Sequence, residues 1–191
     1  MKELKPTMNN TTGSWDKFYN ETEFNYFFKN QGDKPYWVQR FIEPRESVMD
    51  MASGAGRIPF LIKQIRPNLE ISVSDFSRRS LSDLEKMKDL FSEVTFLDIT
   101  KIDREDNWYD VITACEVLEH LDDPKIAVKE MARVARRKII VTTPYRENTA
   151  DPSHKWAFTL DDMYDLLSPY GQTMVSVING DSNILGVVWL S

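Results

Sequence analysis

Three aspartates and a run of small residues could together hold a nucleoside. The run is Asp50-Met51-Ala52-Ser53-Gly54-Ala55-Gly56. Small side chains there would let a ligand approach the backbone at the start of a helix, where N–H groups are available. Asp75 could accept both hydroxyls of a ribose, and Asp98 could accept from an adenine amino group. Either aspartate alone is as well explained as a helix-cap or turn carboxylate, so the combination carries the signal.

A second group contains both histidines of the chain. Glu116, Glu119 and His120 are spaced i, i+3 and i+4, so one helical turn would bring them to the same side, and His154 lies further along. Two carboxylates and two imidazoles suit Mg²⁺, Mn²⁺, Fe²⁺ or Zn²⁺. Such a metal ion could lower the pKa of an acceptor hydroxyl. Without a metal, His120 would act as a base or orient the acceptor.

The elements that must position these residues alternate along the chain. Strands are expected near residues 48–51, 71–73, 94–97, 109–115, 138–142, 173–178 and 184–190. Helices between the first five strands predict right-handed crossovers and a mostly parallel sheet. The last two strands are joined by a few residues, including Asn179-Gly180-Asp181, which requires an antiparallel hairpin. The predicted fold class is therefore α/β, with five parallel strands, a terminal hairpin and helices on both faces. Ligands bind such sheets at the carboxyl ends of the strands.

Two of the predicted helices have recognisable first turns. Asp123 and Pro124 fit the N-cap and first position of one helix. Thr159 and Asp162 have the spacing of a capping box. The helix that follows Thr159 is expected to bury a face made by Leu160, Met163, Tyr164 and Leu167.

Composition limits the classes of function. The net charge of −6 argues against charge-driven binding to nucleic acid or to an anionic membrane. The single cysteine, Cys115, excludes an intrachain disulfide and favours a reducing compartment, which we expect to be the cytoplasm. No apolar run reaches the ~20 residues that span a bilayer.

The aromatic residues suggest how the chain is divided. Residues 1–13 are polar and predict a flexible tail. Residues 14–46 are rich in aromatic side chains, and Trp15, Phe18 and Tyr19 share one helical face. This segment is expected either to pack on the core or to wall a substrate pocket. Residues 47–191 form the predicted main domain.

From the first strand onward the chain resembles the class I S-adenosylmethionine-dependent methyltransferases. The loop 50–56 is similar to that family's acidic, glycine-rich loop, with Ala52 in place of the first glycine. Segment 109–121 is similar to the fourth strand and the residues after it. The resemblance implies a Rossmann-like seven-stranded sheet, S-adenosylmethionine as the methyl donor and S-adenosylhomocysteine as the product. The cofactor-binding residues that it implies are Asp50, Ala52, Gly54, Gly56, Asp75, Phe76, Asp98, Ile99 and Cys115. Tyr19 is a further candidate for the cofactor pocket from its position alone.

Two groups within this class share the Glu-x-x-Glu-His segment. One is the metal-dependent small-RNA 3′-terminal 2′-O-methyltransferases, which also resemble this chain at His154-Lys155-Trp156. The other is the ubiquinone-pathway O-methyltransferases. The resemblance implies His120, His154 and Glu116 as catalytic candidates, and Glu116, Glu119, His120 and His154 as the ligands of a divalent metal ion. Alternatively, Glu116 would face the methionine end of the cofactor. The carboxylate at that end would pair with Arg40, Arg45 or Arg57.

The leading hypothesis is O-methylation of a small molecule such as a sugar, a phenol or a natural-product intermediate. One alternative is metal-dependent 2′-O-methylation of RNA 3′ ends. Another is a cofactor-binding partner subunit without catalytic activity. The acidic composition favours a small acceptor over nucleic acid, and nothing in the residue pattern indicates an oligomeric state.

Overall fold

A computed structural model describes residues 1–21, 32–145 and 151–191 of the chain. Part of the aromatic N-terminal segment, with Phe24, Tyr26, Phe27 and Phe28, lies outside these described residues. The helices are α1 (Thr12–Glu21), α2 (Lys34–Gln39), α3 (Arg57–Ile65), α4 (Arg78–Glu85), α5 (Pro124–Val134) and α6 (Leu160–Leu167). The strands are β1 (Lys2–Glu3), β2 (Val48–Asp50), β3 (Ile71–Asp75), β4 (Glu93–Phe96), β5 (Tyr109–Cys115), β6 (Ala135–Pro144), β7 (Trp156–Ala157), β8 (Gly171–Ile178) and β9 (Asn183–Leu190).

The main sheet has seven strands in the order β4-β3-β2-β5-β6-β9-β8. Neighbouring strands from β4 to β6 are parallel, whereas β9 is antiparallel to both β6 and β8. The prediction of five parallel strands and a terminal hairpin is therefore confirmed. The strand order reverses between β2 and β5, and this reversal opens a crevice at their carboxyl ends.

Helices cover the sheet on both faces, which explains why its central strands are apolar on both sides. Val111 and Ile112 are adjacent on β5 and point to opposite faces. Ile112 packs in a buried cluster that includes Met131 of α5 and Met163 of α6. Val111 packs in a second cluster with Ile62 of α3, beside α2 and α4. No helix within the described ranges is long and apolar enough to cross a bilayer.

The helix starts follow the capping residues seen in the sequence. The Asp123 carboxylate accepts from the backbone N–H of Lys125 at the start of α5. Thr159 and Asp162 form a reciprocal capping box at the start of α6. The buried face of α6 differs from the prediction in one residue. Tyr164 is half exposed and Leu166 is buried in its place, because the sheet meets a face of α6 rotated toward Leu166 and Leu167.

The first residues are docked instead of forming the expected loose tail. β1 pairs antiparallel with β7. Further along, the backbone N–H of Leu4 donates to the Lys155 carbonyl, and that of Met8 donates to the Pro152 carbonyl. These hydrogen bonds are formed by backbone groups. The polar side chains on which the prediction was based therefore could not indicate them.

Candidate active site

A cavity lies at the carboxyl ends of β2, β3, β4 and β5. The residues from the sequence predictions that line it are Tyr19, Ala52, Asp75, Phe76, Asp98, Ile99, Glu116 and His120. Asn10 and Trp15 close it from the N-terminal segment, and Leu97, Val117 and Leu121 add apolar surface. The cavity therefore joins the predicted nucleoside-binding residues to the histidine region.

The loop after β2 is shaped by three residues in the left-handed backbone region. Ala52, Gly54 and Gly56 have φ angles of 52°, 56° and 77°. A side chain at Gly56 would meet Leu84, since an added Cβ would lie 2.5 Å from its Cδ2 atom. Gly56 thus allows α3 to pack closely on α4, while Ala52 is the loop residue that reaches the cavity wall.

Asp75 ends β3 as a buried carboxylate in the cavity wall. Its Oδ2 atom accepts from the Gly54 N–H at 2.8 Å, and its Oδ1 atom accepts from the Ser77 N–H at 2.7 Å. Burial raises the pKa of Asp75 to about 6, even though these hydrogen bonds oppose the shift. Each carboxylate oxygen carries a second lone pair, so Asp75 can still accept two ribose hydroxyls.

Asp50 and Cys115 stand behind the cavity instead of on its wall. The Thr113 hydroxyl donates to the Asp50 carboxylate, and burial raises the pKa of Asp50 to about 6. Burial also raises the pKa of the Cys115 thiol well above its usual value. Cys115 is therefore a poor nucleophile and fits a packing role.

The adenine end of the predicted site is more open. Asp98 is exposed, and its Oδ1 atom accepts from the backbone N–H and the hydroxyl of Thr100. Its neighbour Ile99 is buried, and Phe76 is partly buried. The two side chains give this part of the cavity wall an apolar surface, which suits a purine ring, and Asp98 adds an acceptor beside it.

Helix α1 lies across both ends of the cavity. Asp16 accepts from the Ser77 hydroxyl at 2.6 Å and from the Arg79 N–H at 3.0 Å, which fixes α1 to the start of α4. The Tyr19 hydroxyl covers Gly54, where an added Cβ would lie 2.5 Å from it. Burial, followed by the charge of Asp75, raises the pKa of Tyr19. At the other end, the Trp15 ring lies edge-on to His120, with centroids 4.9 Å apart.

The two histidines meet beside a buried carboxylate. The rings of His120 and His154 have centroids 4.6 Å apart. One ligand atom from each of Glu119, His120 and His154 lies within 4.8 Å of the others. His120 Nδ1 is 3.2 Å from the Ser153 carbonyl oxygen, and His154 Nε2 is 3.8 Å from an Asp151 carboxylate oxygen. The cluster offers one oxygen and two nitrogens, which suits a transition metal ion.

The structure does not bring Glu116 into this cluster. Its φ angle of 58° turns the backbone before the short helical turn at 118–120, so the expected i, i+3, i+4 face is not formed. Its carboxylate instead accepts from the Thr142 hydroxyl at 2.8 Å and from the Asn183 amide at 2.9 Å. Lys34 Nζ lies 3.3 Å from its Oε2 atom.

Lys34, which the sequence predictions did not name, pairs with Glu116 of the cavity wall. Only 5% of it is exposed. Of the arginines predicted for the cofactor carboxylate, Arg40 and Arg45 are exposed, whereas Arg57 is buried at the start of α3. Arg40 lies over the rings of Tyr36 and Trp37. The one signal in the sequence is that Lys34 precedes Pro35, and a proline at this position marks the start of a helix.

The fold and the cavity together resemble one class of domain. Four features are similar to those of the class I S-adenosylmethionine-dependent methyltransferases: the reversed strand order, the left-handed loop after β2, the buried acid ending β3 and the acid after β4. The cavity wall fits this cofactor, since the buried Asp75 carboxylate can accept hydrogen bonds from a ribose beside the apolar residues Phe76 and Ile99.

Comparison with known proteins supports this class. Residues 49–138 match the family model described as a methyltransferase domain. A demethylmenaquinone methyltransferase from Thermotoga maritima is 32% identical over 108 residues, which are 53% of this chain and 46% of that protein. A ubiquinone/menaquinone biosynthesis C-methyltransferase UbiE from Desulfotalea psychrophila is 28% identical, over 58% of this chain and 47% of that protein. The chain spans about half the length of these curated relatives.

Solved structures show the same fold at low sequence identity. A SAM-dependent methyltransferase from Aquifex aeolicus aligns over 95% of this chain and 99% of its own, with a TM-score of 0.68 and 18% identity. Magnesium protoporphyrin IX methyltransferase from Synechocystis, solved with bound S-adenosylhomocysteine, aligns over 96% of both chains. Its TM-score is 0.68 and its identity is 13%.

Proposed function

We propose that the protein transfers a methyl group from S-adenosylmethionine to a hydroxyl oxygen of a small acceptor, a phenol or a hydroquinone. The observation that carries this proposal is His120, an imidazole held in the cavity wall between Trp15 and His154. An aromatic acceptor fits beside Trp15 and the apolar residues of the wall. The relatives named for quinone substrates also favour a small aromatic acceptor.

The hydrogen bond at Ser153 assigns the role of each His120 nitrogen. A carbonyl oxygen only accepts, so Nδ1 carries the proton in that bond. In the neutral ring, Nε2 then has the lone pair and can take the proton of the acceptor hydroxyl. Glu119 Oε1 lies 3.9 Å from Nε2 and stabilises the imidazolium that results. General-base help of this kind contributes about 10²–10⁴-fold.

The remaining residues bind and orient. S-adenosylmethionine supplies an electrophilic methyl group when bound. Asp75 accepts from the ribose hydroxyls, while Phe76 and Ile99 hold the adenine, which fixes where the methyl group points. Trp15 and Leu121 exclude water from the acceptor side, which strengthens the electrostatic interactions inside. Placing the acceptor oxygen about 3 Å from the methyl group is the largest task of this site.

C-methylation is a second candidate, favoured by the printed name of one relative. Removing a proton from a ring hydroxyl makes the neighbouring ring carbon nucleophilic as well as the oxygen. The same base, His120, therefore serves either outcome. The orientation of the acceptor ring decides which atom meets the methyl group.

The decisive experiment is product analysis with ¹³C-methyl-labelled S-adenosylmethionine. A panel of catechols, hydroquinones and simple phenols is incubated with the wild-type protein, beside a short RNA with a free 3′ end. We expect a labelled O-methyl signal by NMR from at least one aromatic acceptor. A labelled C-methyl signal would select the second candidate. Transfer to RNA alone would overturn the small-acceptor proposal, and cofactor binding with no transfer would favour a partner subunit.

As an alternative to His120 acting as the base, we also propose that Glu119, His120 and His154 bind a divalent metal ion, with the His120 Nε2 lone pair as one ligand. The metal ion, in place of His120, would then lower the pKa of the acceptor hydroxyl. Calorimetric titration of chelator-treated protein with Mn²⁺ or Zn²⁺ is expected to show one site, lost in His154→Ala. The matched control is Asp151→Asn, which keeps all three ligands and should weaken the site only about 10–100-fold, as expected for an outer-shell partner. Absence of a titratable site in the wild type would leave His120 as a base without metal assistance.

A further inference from the structure

We propose that Lys34 and Glu116 form a clamp for the amino-acid end of the cofactor, with Lys34 binding its carboxylate and Glu116 its ammonium group. This inference rests on the proposed function, because it assumes that S-adenosylmethionine occupies the cavity. It replaces the three arginines that the sequence analysis proposed for the cofactor carboxylate. Arg40 and Arg45 hold exposed positions and Arg57 does not line the cavity, whereas Lys34 pairs with Glu116 on the cavity wall.

The clamp lies where the methionine part of the cofactor must run. Glu116 directly follows β5 and lines the cavity. It therefore lies beyond the carboxyl end of β5, the strand next to β2 and its glycine-rich loop. Lys34 is the first residue of α2, and its side chain is only 6% exposed. The two charged groups are 3.3 Å apart, so Lys34 lies directly beside a residue of the cavity wall.

The hydrogen bonds at Glu116 leave the Lys34 ammonium group with donor capacity. Thr142 and Asn183 already donate to the Glu116 carboxylate, so two neutral groups help to hold its negative charge. An ammonium group has three donors and Glu116 occupies one direction. A buried pair is costly unless its remaining donors are used. A ligand carboxylate beside Lys34 would use them.

The complementarity extends to the sign of both charges. An amino acid carries one ammonium and one carboxylate group. Glu116 supplies a negative charge for the ammonium group, and Lys34 supplies a positive charge for the carboxylate.

The position of Lys34 is also fixed, because the backbone N–H of Asp33 donates to the Asn179 side chain in the β8–β9 connection, at 3.4 Å. Asn179 in turn donates to Asn183 at 2.8 Å. One polar network thus holds both halves of the clamp.

The test compares three ligands by calorimetry, with no measurement of turnover. S-adenosylhomocysteine carries both charged groups, decarboxylated S-adenosylmethionine lacks only the carboxylate, and 5′-methylthioadenosine lacks the whole amino-acid end. Lys34→Met is expected to weaken S-adenosylhomocysteine at least about tenfold. It should leave the other two ligands nearly unchanged. Glu116→Gln should weaken decarboxylated S-adenosylmethionine but not 5′-methylthioadenosine.

Two further variants keep the test independent of folding. The double variant Lys34→Met/Glu116→Gln removes both charges and so leaves no unpaired charge buried. It can therefore be tested if a single variant fails to fold. Lys138→Met breaks another buried lysine–glutamate pair, the one between Lys138 and Glu46. Lys138 lies on β6, four residues before Thr142, and does not line the cavity. Lys138→Met should bind all three ligands like the wild type.

The outcomes separate the clamp from the proposed function. Equal loss of all three ligands in Lys34→Met, or no loss of S-adenosylhomocysteine in any clamp variant, would overturn the clamp while leaving a cofactor site in place. Failure of the folded wild type to bind any of the three ligands would overturn both proposals.

Discussion

Asp75→Asn is expected to weaken binding of S-adenosylhomocysteine at least about a hundredfold. The wild-type carboxylate lines the cavity, and each oxygen keeps one lone pair for the ribose hydroxyls of the proposed cofactor, whereas an amide offers one acceptor and introduces a donor. Calorimetry at neutral pH measures the loss. Wild-type affinity should also fall below a pH of about 6, because burial raises the pKa of Asp75 to about 6 and the protonated acid is a weaker acceptor.

The same substitution should change how stability depends on pH. An unfolded aspartate titrates near a pKa of about 3.9, and folded Asp75 near about 6. Between these values the folded state holds the proton more tightly, so wild-type stability falls as the pH rises through the window. Asparagine does not titrate. The wild type therefore loses unfolding free energy between low and neutral pH that the variant does not lose. The difference in unfolding free energy between the variant and the wild type should shift in favour of the variant by on the order of 3 kcal/mol.

Asp83→Asn is the matched control, since Asp83 is buried on α4 outside the cavity. Burial would raise the pKa of Asp83, but hydrogen bonds from Lys86 and Arg79 outweigh it and lower the pKa. That variant should lose stability relative to the wild type as the pH rises, and should keep the cofactor affinity. If Asp75→Asn behaved like Asp83→Asn, the assignment of Asp75 to the ribose would be wrong.

The second large effect is expected for His120→Ala. Loss of the base should lower kcat about 10²–10⁴-fold, while the affinity for S-adenosylhomocysteine stays near the wild-type value. Rapid-quench measurement of a single turnover separates methyl transfer from product release. Added imidazole should restore part of the rate in the variant and none in the wild type. Wild-type turnover in His120→Ala would exclude His120 as the base.

The sheet was predictable from sequence because its signals are local and repeated. Short apolar runs between amphipathic helices specify buried parallel strands, and the Asp123 and Thr159 caps set the starts of two helices. Asp75 and Asp98 could be placed because strand ends determine where their carboxylates lie. The docking of β1 on β7 was not predictable, since backbone hydrogen bonds between distant segments leave no pattern in the side chains.

The histidine region shows where spacing alone is insufficient. The i, i+3, i+4 pattern assumed a regular helix through Glu116, but the left-handed backbone there directs its carboxylate toward β6 and β9. Lys34 was missed for a related reason. Its partner is 82 residues away in sequence, and only the packing of α2 against the sheet brings the two together. Residues that long-range packing brings into the site therefore could not be predicted from the sequence and were identified only in the structure.

Helix α1 contacts both ends of the cavity, so we expect it to couple binding of the methyl donor to binding of the acceptor. Tyr19 covers the cofactor loop, and Trp15, one turn earlier, packs on His120. A ligand that displaces Tyr19 therefore shifts the surface that Trp15 presents to the acceptor. By linkage, the factor by which the donor changes acceptor affinity equals the factor by which the acceptor changes donor affinity. Because the Asp16 contacts hold α1 against α4, we expect Asp16→Ala to change the size of that factor.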